Sequence, residues 1–371
     1  MMRAAVGDKL AFKASQADRH DDQIDGLRAI AVSGVLFSHF WLPQSHAGHW
    51  GVRLFFVISG FLITRILLAN RFGEGSERSS VLFAFYARRV LRIFPAYYFV
   101  LLVGVLAGIE GVLKTLPFHA LYASNLLFAY RDNWAPWPTS HLWSLSVEEQ
   151  FYILWPAFML FLPRGALPAF LLVAIGLSVL FKAICFQLDP DGLDQYVLMP
   201  AAIDAMALGG ILSNLSSLFG LSERGVRQVA RIMLALSLII VPCMAFGIWG
   251  HLPWAVYEFL ATIPMGYLVL ASSLGIPGMF GKILRTPVVR YVGKISYGIY
   301  LWHFFLLALL FKFVPPFSAV AADPGPVQFF LGGSMTIAIA ALSWHFLESP
   351  VNALKRSFPY RKRMVHLQAS V

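Results

Sequence analysis

Two ionisable side chains, Arg28 and His39, lie within the first long apolar run of the sequence, residues 25–41 (DGLRAIAVSGVLFSHFW). Eleven positions separate them, so at ~100° per residue an α-helix returns to within ~20° of the same face, about 16 Å further along its axis. Because ionisable groups are costly in hydrocarbon, a membrane helix with this pattern indicates a functional site. The alternative is that Arg28 extends to the membrane surface and His39 is a hydrogen-bonded interfacial residue.

A pair of arginines follows in the segment 83–98, FAFYARRVLRIFPAYY. Arg89 and Arg92 are one helical turn apart, so both guanidinium groups lie on one face. A planar guanidinium fork suits bidentate phosphate binding, which makes this pair a candidate phosphate site. The competing interpretation is a positively charged anchor on the cytoplasmic side of the membrane, a role that suits Arg88.

A polar helix face runs along the segment 140–155, SHLWSLSVEEQFYILW. His141, Ser144 and Glu148 recur there at positions i, i+3 and i+7. Glu148 would lie about 10 Å below the outer end of the helix, at a depth comparable to that of His39, whereas Glu149 points elsewhere. A carboxylate beside an imidazole is a common arrangement for activating a hydroxyl, so Glu148 is a candidate partner of that histidine. A structural buried ion pair is the alternative.

Further polar residues within apolar runs are weaker candidates. Ser59 and Gly60 lie in mid-span of the segment 51–64, GVRLFFVISGFLIT, where small residues permit close approach of a ligand or a second helix. Close helix packing is the favoured interpretation for them. Four ionisable residues are evenly balanced between a packing contact and a site role: Asp204, Glu258, His303 and Glu348.

Several familiar chemistries have no motif in this chain. It contains no Walker motif, Rossmann fingerprint, HExxH or GxSxG sequence. Cys185 and Cys243 both lie in apolar runs and indicate packing residues rather than a metal site. We therefore expect no metal and no permanently bound cofactor.

The composition places these residues in a membrane protein. Of 371 residues, 58% are hydrophobic and 13% are charged, against about 25% charged in soluble domains. Apolar runs of roughly 20 residues recur without the alternation of barrel strands, which predicts an all-α, polytopic integral membrane protein. A net charge of +10 could suggest nucleic acid binding. The charges fall in loops that orient the helices, however, so we expect no nucleic acid partner.

About ten transmembrane helices are predicted. Their approximate ranges are 26–43, 50–69, 90–109, 142–162, 167–187, 197–214, 230–249, 254–274, 295–314 and 327–347. Two further segments, 115–138 and 276–292, have the composition of interfacial rather than spanning elements.

The distribution of Lys and Arg orients these helices. With a cytoplasmic N-terminus, most basic residues fall on the cytoplasmic side, which is the bias expected of a membrane protein. This predicts that both termini are cytoplasmic, with an N-terminal tail at 1–24, a transmembrane domain at 25–350 and a basic tail at 351–371. The outer side keeps only Arg53, Lys114, Arg131, Lys182 and Lys312.

Taken in order, the sequence blocks resemble the membrane acyltransferase family 3, from about residue 25 to residue 350. Each block is moderately specific, and the full ordered set is highly specific. The matching blocks are DGLRAIAVSGVLFSHF, GVRLFFVISGFLIT, FYARRVLRIFPAYY, HLWSLSVEEQFYILWP, VGKISYGIYLWH and SWHFLESP.

The resemblance implies an acyltransferase that transfers groups other than amino-acyl groups. Family members O-acylate bacterial surface polysaccharides, nodulation factors and macrolides. The expected co-substrate is cytoplasmic acyl-CoA, with acetyl-CoA favoured, and the expected acceptor is a hydroxyl of a cell-surface or exported glycan. The expected location is the bacterial inner membrane.

The resemblance also implies residue roles. The pair Arg28 and His39 matches the family's essential basic residue and histidine, Arg89 and Arg92 match its RxxR sequence, and Glu148 matches the acid of its Ser/Glu block. One departure is Ile203 before Asp204, where many relatives carry Arg, so Asp204 is left out of the predicted core site. Supporting positions are Ser144, Ser59, Gly60 and His303.

The resulting hypothesis is that the two arginines of the RxxR block bind CoA phosphates, with help from Arg28. His39, oriented by Glu148, would deprotonate the acceptor hydroxyl. Direct transfer and a covalent acyl intermediate both remain open. The alternative is a proton-coupled secondary transporter, but no inverted repeat supports it. A non-catalytic assembly or sensor protein leaves the two polar helix faces unexplained.

Overall fold

The computed structural model describes residues 22–71, 77–250 and 252–360. Within these ranges the chain forms helices joined by turns and loops, without a β-strand, which confirms the predicted all-α class. Two tails were predicted, at 1–24 and 351–371. Their parts at 1–21 and 361–371 lie outside the described residues.

The helices are numbered in chain order. They are α1 (22–40), α2 (Ala47–Arg71), α3 (Arg78–Leu106), α4 (Val112–Ala120), α5 (Ser124–Arg131), α6 (Leu142–Phe161), α7 (Leu167–Leu188), α8 (Asp194–Val197), α9 (Met199–Ser213), α10 (Leu215–Phe219), α11 (Glu223–Ala245), α12 (Trp254–Leu274), α13 (Gly278–Leu284), α14 (Pro287–Lys294), α15 (Ser296–Phe313), α16 (Pro315–Ala321), α17 (Gly333–Ser343) and α18 (Ser349–Ala353). Short π-helical turns flank α17 at Gln328–Gly332 and Trp344–Glu348.

Eight helical stretches in the described ranges are long and apolar enough to cross a membrane, so the protein is a multi-pass membrane protein. They coincide with eight of the ten predicted spans. The two remaining spans, α1 and α6, do form helices, but they do not belong to this apolar set. Their charged side chains, such as Arg28 in α1 and Glu148 in α6, lower their hydropathy. The total of ten spans and the side of the termini stay predictions.

The helix that contains the third predicted span is longer than the span itself. That span was placed at 90–109, whereas α3 already begins at Arg78. An apolar run marks the part of a helix that can lie in lipid, and a helix can continue beyond it with polar turns. Arg89 and Arg92 are therefore in the interior of a long helix rather than at its entrance.

The helix α2 is central because glycines let its backbone contact its neighbours. A Cβ atom added to Gly60 would lie 1.9 Å from the carbonyl oxygen of Met206 in α9, and one added to Gly209 of α9 would lie 2.1 Å from the carbonyl oxygen of Val57. On the opposite side, Gly51 of α2 packs against the backbone of α1 in the same way. Such contacts require residues without a side chain. They fix α1, α2 and α9 as one packed unit.

The two segments expected at the interface form short helices. Residues 115–138 contribute most of α4, all of α5 and most of a 3₁₀ turn, while 276–292 contribute α13 and most of α14. None of these is among the candidate membrane-spanning helices of the described ranges.

Candidate functional site

A cavity of about 120 Å³ lies between α1, α2, α3, α6 and α15. Six of the nine predicted site residues line it, although they come from four separate helices. These six residues are Arg28, Ser59, Arg89, Arg92, Ser144 and Glu148.

Glu148 is held by two hydroxyl groups inside this cavity. Ser59 Oγ donates a hydrogen bond of 2.8 Å to Glu148 Oε1, and the Tyr152 hydroxyl donates one of 3.2 Å to Oε2. Ser59 Oγ and the Tyr152 hydroxyl are themselves 3.2 Å apart. Because Tyr152 follows Glu148 by one turn of α6, the spacing brings both onto the cavity wall. The three side chains form one polar group on the wall of the cavity.

Three guanidinium groups and two carboxyl groups, those of Glu148 and Glu149, line the same cavity, so its lining carries one formal positive charge in excess. Arg28 Nη1 lies 3.7 Å from Asp25 Oδ1. Arg89 lies over the ring of Tyr152, with 5.0 Å between its guanidinium carbon and the ring centroid. Arg92 forms no hydrogen bond or ion pair within the described part of the chain. Like charges gathered this way favour an anionic ligand, and the guanidinium fork suits phosphate.

A histidine pair stands beside the cavity. Nδ1 of His39 in α1 lies 2.9 Å from Nε2 of His303 in α15. The other ring nitrogen of His303, Nδ1, lies 2.5 Å from the carbonyl oxygen of Tyr300. A carbonyl oxygen can only accept, so His303 Nδ1 must carry the proton and, in a neutral ring, Nε2 must accept the Nδ1–H of His39. This leaves Nε2 of His39 with a free lone pair, and it forms no hydrogen bond in the described ranges.

Tyr300 connects the histidine pair to the cavity. Its hydroxyl lines the cavity and shares a hydrogen bond of 2.6 Å with Ser144 Oγ. Its carbonyl holds His303 one helical turn further along α15. His141 completes this region, because its Nε2–H donates to the carbonyl oxygen of Leu301 (3.1 Å) and its ring centroid lies 4.6 Å from that of His303.

Two details of the predicted site differ from the structure. The partner of His39 is His303, whereas Glu148 contacts Ser59 and Tyr152. Equal depth in two helices does not imply contact, and here α15 supplies the nearer side chain. Glu149 was expected to point away from the site, yet it lines the same cavity and is 7% exposed. Consecutive helical residues are only ~100° apart, so both can border one wide cavity.

The supporting position Gly60 has a packing role in the structure. It lies where α2 contacts the backbone of α9. This agrees with the favoured interpretation of the Ser59 and Gly60 segment. The hydroxyl of Ser59 is on the cavity side, whereas the glycine lets the helix carrying it approach α9.

A second group of buried charges lies outside the cavity. Asp204 Oδ2 is 2.9 Å from Arg53 Nη2 and 2.7 Å from Lys182 Nζ. Glu258 contacts the same two cations, at 3.3 Å from Arg53 and 2.7 Å from Lys182. These two basic residues, which were assigned to the outer side, thus form a buried network. Arg53 and Lys182 are thus the cationic partners of Asp204 in this chain, which has Ile203 where many relatives carry Arg.

Two tyrosines of the site were not singled out from the sequence. Tyr152 stands one turn after Glu148 and Tyr300 one turn before His303, so both fall on the helix face of a predicted site residue. Helical spacing from the predicted residues would have found them.

The described chain is therefore a helical membrane protein whose core holds an arginine-lined cavity beside a histidine with an available lone pair. The family model described as "Acyltransferase domain" matches residues 21–345. The chain belongs to this acyltransferase family, which confirms the resemblance and the predicted enzyme class at the level of the family. This membership gives no support to the transporter alternative.

Comparison with curated proteins gives the same family. The chain is 32% identical to the peptidoglycan O-acetyltransferase OatA of Listeria monocytogenes, over 88% of this chain and 55% of that protein. It is 30% identical to a putative O-acetyltransferase of Staphylococcus aureus, over 90% of this chain and 57% of that protein. A putative peptidoglycan O-acetyltransferase of Bacillus subtilis, YrhL, is 29% identical over 94% of this chain and 58% of that protein. The chain thus spans little more than half the length of these relatives. No solved structure matches it.

Proposed function

We propose that this protein is an O-acetyltransferase of the bacterial inner membrane that transfers an acetyl group from cytoplasmic acetyl-CoA to a hydroxyl of a cell-wall glycan. The observation that carries the proposal is a cavity lined by three arginines and the Ser59–Glu148–Tyr152 group, with the His39–His303 pair bonded to its wall through Tyr300. The family membership and the names of the relatives support acetyl transfer and a cell-wall acceptor.

The arginines account for binding of the donor. Coenzyme A carries several phosphate charges, and Arg28, Arg89 and Arg92 present a surplus of positive charge at the predicted cytoplasmic end of the cavity. Arg92 has no competing partner among the described residues, so its guanidinium is available to a phosphate oxygen. The phosphates held there would direct the pantetheine arm into the cavity.

The hydroxyl groups on the cavity wall would guide the thioester. Ser59 and Tyr152 are fixed by Glu148, so their positions are set before the donor arrives. Ser144 and the Tyr300 hydroxyl mark the far wall, next to the helix turn that carries His303. The thioester would therefore pass from the arginines along these side chains towards His39.

His39 is suited to act as the general base. Its Nε2 takes the proton of the acceptor hydroxyl while that oxygen attacks the thioester carbonyl carbon. The carbon–sulfur bond then breaks, and the coenzyme A thiolate takes the proton back from the imidazolium, so no further reactant is needed. Such base catalysis typically contributes about 10²–10⁴ in rate. His303 keeps Nδ1 of His39 protonated throughout, in the orienting role first assigned to Glu148.

The function is tested in a strain that lacks the gene. We expect loss of O-acetyl signals from its purified cell-wall glycan by NMR, recovery with the wild-type gene, and no recovery with His39→Ala at a normal protein level. His345→Ala is the matched control, because His345 is an exposed histidine outside the cavity, and it should restore acetylation. Near-normal acetylation with His39→Ala would refute the assignment of the base.

A further inference from the structure

A cluster of five aromatic side chains stands at the predicted outer ends of α2, α8 and α12. Four rings form a closed circuit, with centroid distances of 4.7 Å for His49–Trp50, 6.5 Å for Trp50–Tyr257, 5.8 Å for Tyr257–Trp254 and 6.2 Å for Trp254–His49. Tyr196 joins them through His49 at 6.3 Å and Trp254 at 5.6 Å. All five rings, which we call the His49 aromatic cluster, are half-buried, so each keeps part of its surface open.

The buried charge network forms the floor of this cluster. Nε2 of His49 lies 3.1 Å from Oε1 of Glu258, which is 2% exposed. The network contains two basic and two acidic residues, so its formal charges cancel and His49 faces a carboxylate that is already compensated. The His49 aromatic cluster therefore packs on a charge-balanced floor and offers no net charge to a ligand.

The His49 aromatic cluster adjoins the proposed base. A Cβ atom added to Gly48 would lie 3.8 Å from Nε2 of His39, so the first turn of α2 passes directly beside that nitrogen. Consecutive Cα atoms are about 3.8 Å apart, which brings the Cα of His49 within roughly 9 Å of the base. A chain molecule with one hydroxyl at His39 would continue across these rings.

The chemistry of the cluster suits a sugar. Nε1 of Trp254 is buried and has no hydrogen-bond partner in the described part of the chain. A buried indole N–H normally finds an acceptor, and a saccharide hydroxyl would provide one. The C–H faces of a sugar ring would cover the aromatic faces. Ligand sites commonly combine such aromatic walls with a few polar groups.

We infer that the His49 aromatic cluster binds the neutral saccharide chain that continues from the acetylated sugar, and so selects polymeric over monomeric acceptors. The inference rests on the proposed function, because it places the acceptor at His39. The cluster differs from isolated aromatic residues of a membrane interface, since its rings pack on one another and on a buried ion network. The outer-side Trp134, which is 41% exposed and whose ring contacts Phe128 at 6.0 Å and Trp143 at 6.5 Å, lies outside this cluster and serves as the comparison.

The test uses the full chain in lipid nanodiscs with acetyl-CoA and two acceptors, N-acetylglucosamine and its tetramer. For Trp254→Leu we expect the KM of the tetramer to rise about tenfold, with kcat and the KM of the monomer unchanged. Trp254→Phe keeps a ring but loses the N–H donor, so it should give a smaller rise and also serves if the leucine variant fails to fold. Trp134→Leu is the matched control and should leave both KM values unchanged.

Three results would overturn the inference. They are an unchanged KM for the tetramer, an equal rise for monomer and tetramer, and the same rise with Trp134→Leu, which would indicate a general interfacial role for outer tryptophans. Calorimetric titration of the tetramer separates this inference from the proposed function. If the wild type binds the tetramer and Trp254→Leu does not, while no acetyl transfer occurs, the saccharide site stands and the proposed activity fails.

Discussion

The hydrogen bond between His39 and His303 determines which ring nitrogen of His39, the proposed base, is available. The Tyr300 carbonyl holds the proton of His303 on Nδ1, and this in turn holds the proton of His39 on its own Nδ1. Without the acceptor at His303, the ring of His39 could rotate or adopt the other tautomer. His303 is thus a positioning residue that acts through His39.

Removing the acceptor nitrogen of His303 should slow the transfer step. For His303→Phe we expect kcat to fall by about 10²-fold or more with little change in the KM for acetyl-CoA, because the arginines that bind the donor are untouched. His303→Gln keeps an oxygen that can accept from His39 Nδ1–H and should recover part of the loss. Steady-state kinetics of the purified variants check this. A phenylalanine variant with normal kcat would contradict the positioning role.

The Arg92 guanidinium should contribute to donor affinity rather than to the chemical step. A charge-assisted hydrogen bond to phosphate is worth about 1.5–3 kcal/mol, so Arg92→Gln should weaken coenzyme A binding roughly 10- to 100-fold. The matched control is Arg88→Gln, since Arg88 lies outside the cavity and over the ring of Tyr360. Isothermal titration calorimetry with coenzyme A measures both. Equal weakening by the two variants would point to a general charge effect instead of a phosphate contact.

At the scale of helices, the contact of α2 with α9 keeps Ser59 on the cavity wall. Gly60 allows this contact, because any side chain there would collide with the backbone at Met206. Ser59, which lies on the cavity wall, is therefore positioned by the packing contact that its neighbour Gly60 makes with α9.

Gly60→Ala should destabilise the protein by about 1–3 kcal/mol or more, as overpacking of a close contact does. Gly176→Ala provides the matched control, because Gly176 lies in α7 with open space around the added Cβ position. This second change should be neutral or slightly stabilising, since alanine favours a helix by up to about 1 kcal/mol. Thermal unfolding of the purified variants distinguishes them. Equal melting temperatures for both variants would show that α2 and α9 tolerate separation.

Helical spacing predicts which residues of one element share a face, and it succeeds where the site uses one helix. Arg89 and Arg92 line the same cavity, as do Ser144 and Glu148. Spacing cannot say which face of another helix lies opposite. His39 contacts His303, which is 264 positions further along the chain, because α15 rather than α6 packs beside that turn of α1. Such pairings depend on tertiary packing that no local pattern encodes.

At the scale of the whole molecule, the positions of α1 and α6 explain why they are the most difficult spans to detect. Both border the cavity, and their polar side chains face it rather than lipid. A helix that lines a polar cavity can be less apolar than one surrounded by lipid. The apolar runs predicted all ten spans, and eight of these coincide with helices of the described ranges that are apolar enough to cross a membrane.

The proposed direction of transfer requires the arginines to lie on the cytoplasmic side and His39 near the outer side. In a Cys185→Ser, Cys243→Ser background, His46→Cys should react with a membrane-impermeant maleimide in intact cells, because His46 is exposed and follows the outer end of α1. Arg356→Cys, exposed and predicted to be cytoplasmic, should react only after permeabilisation. If Arg356→Cys reacted in intact cells as well, the number of spans would be odd. If the whole pattern were reversed, the arginines would face away from the cytoplasmic acyl-CoA pool, and the proposed donor would be wrong.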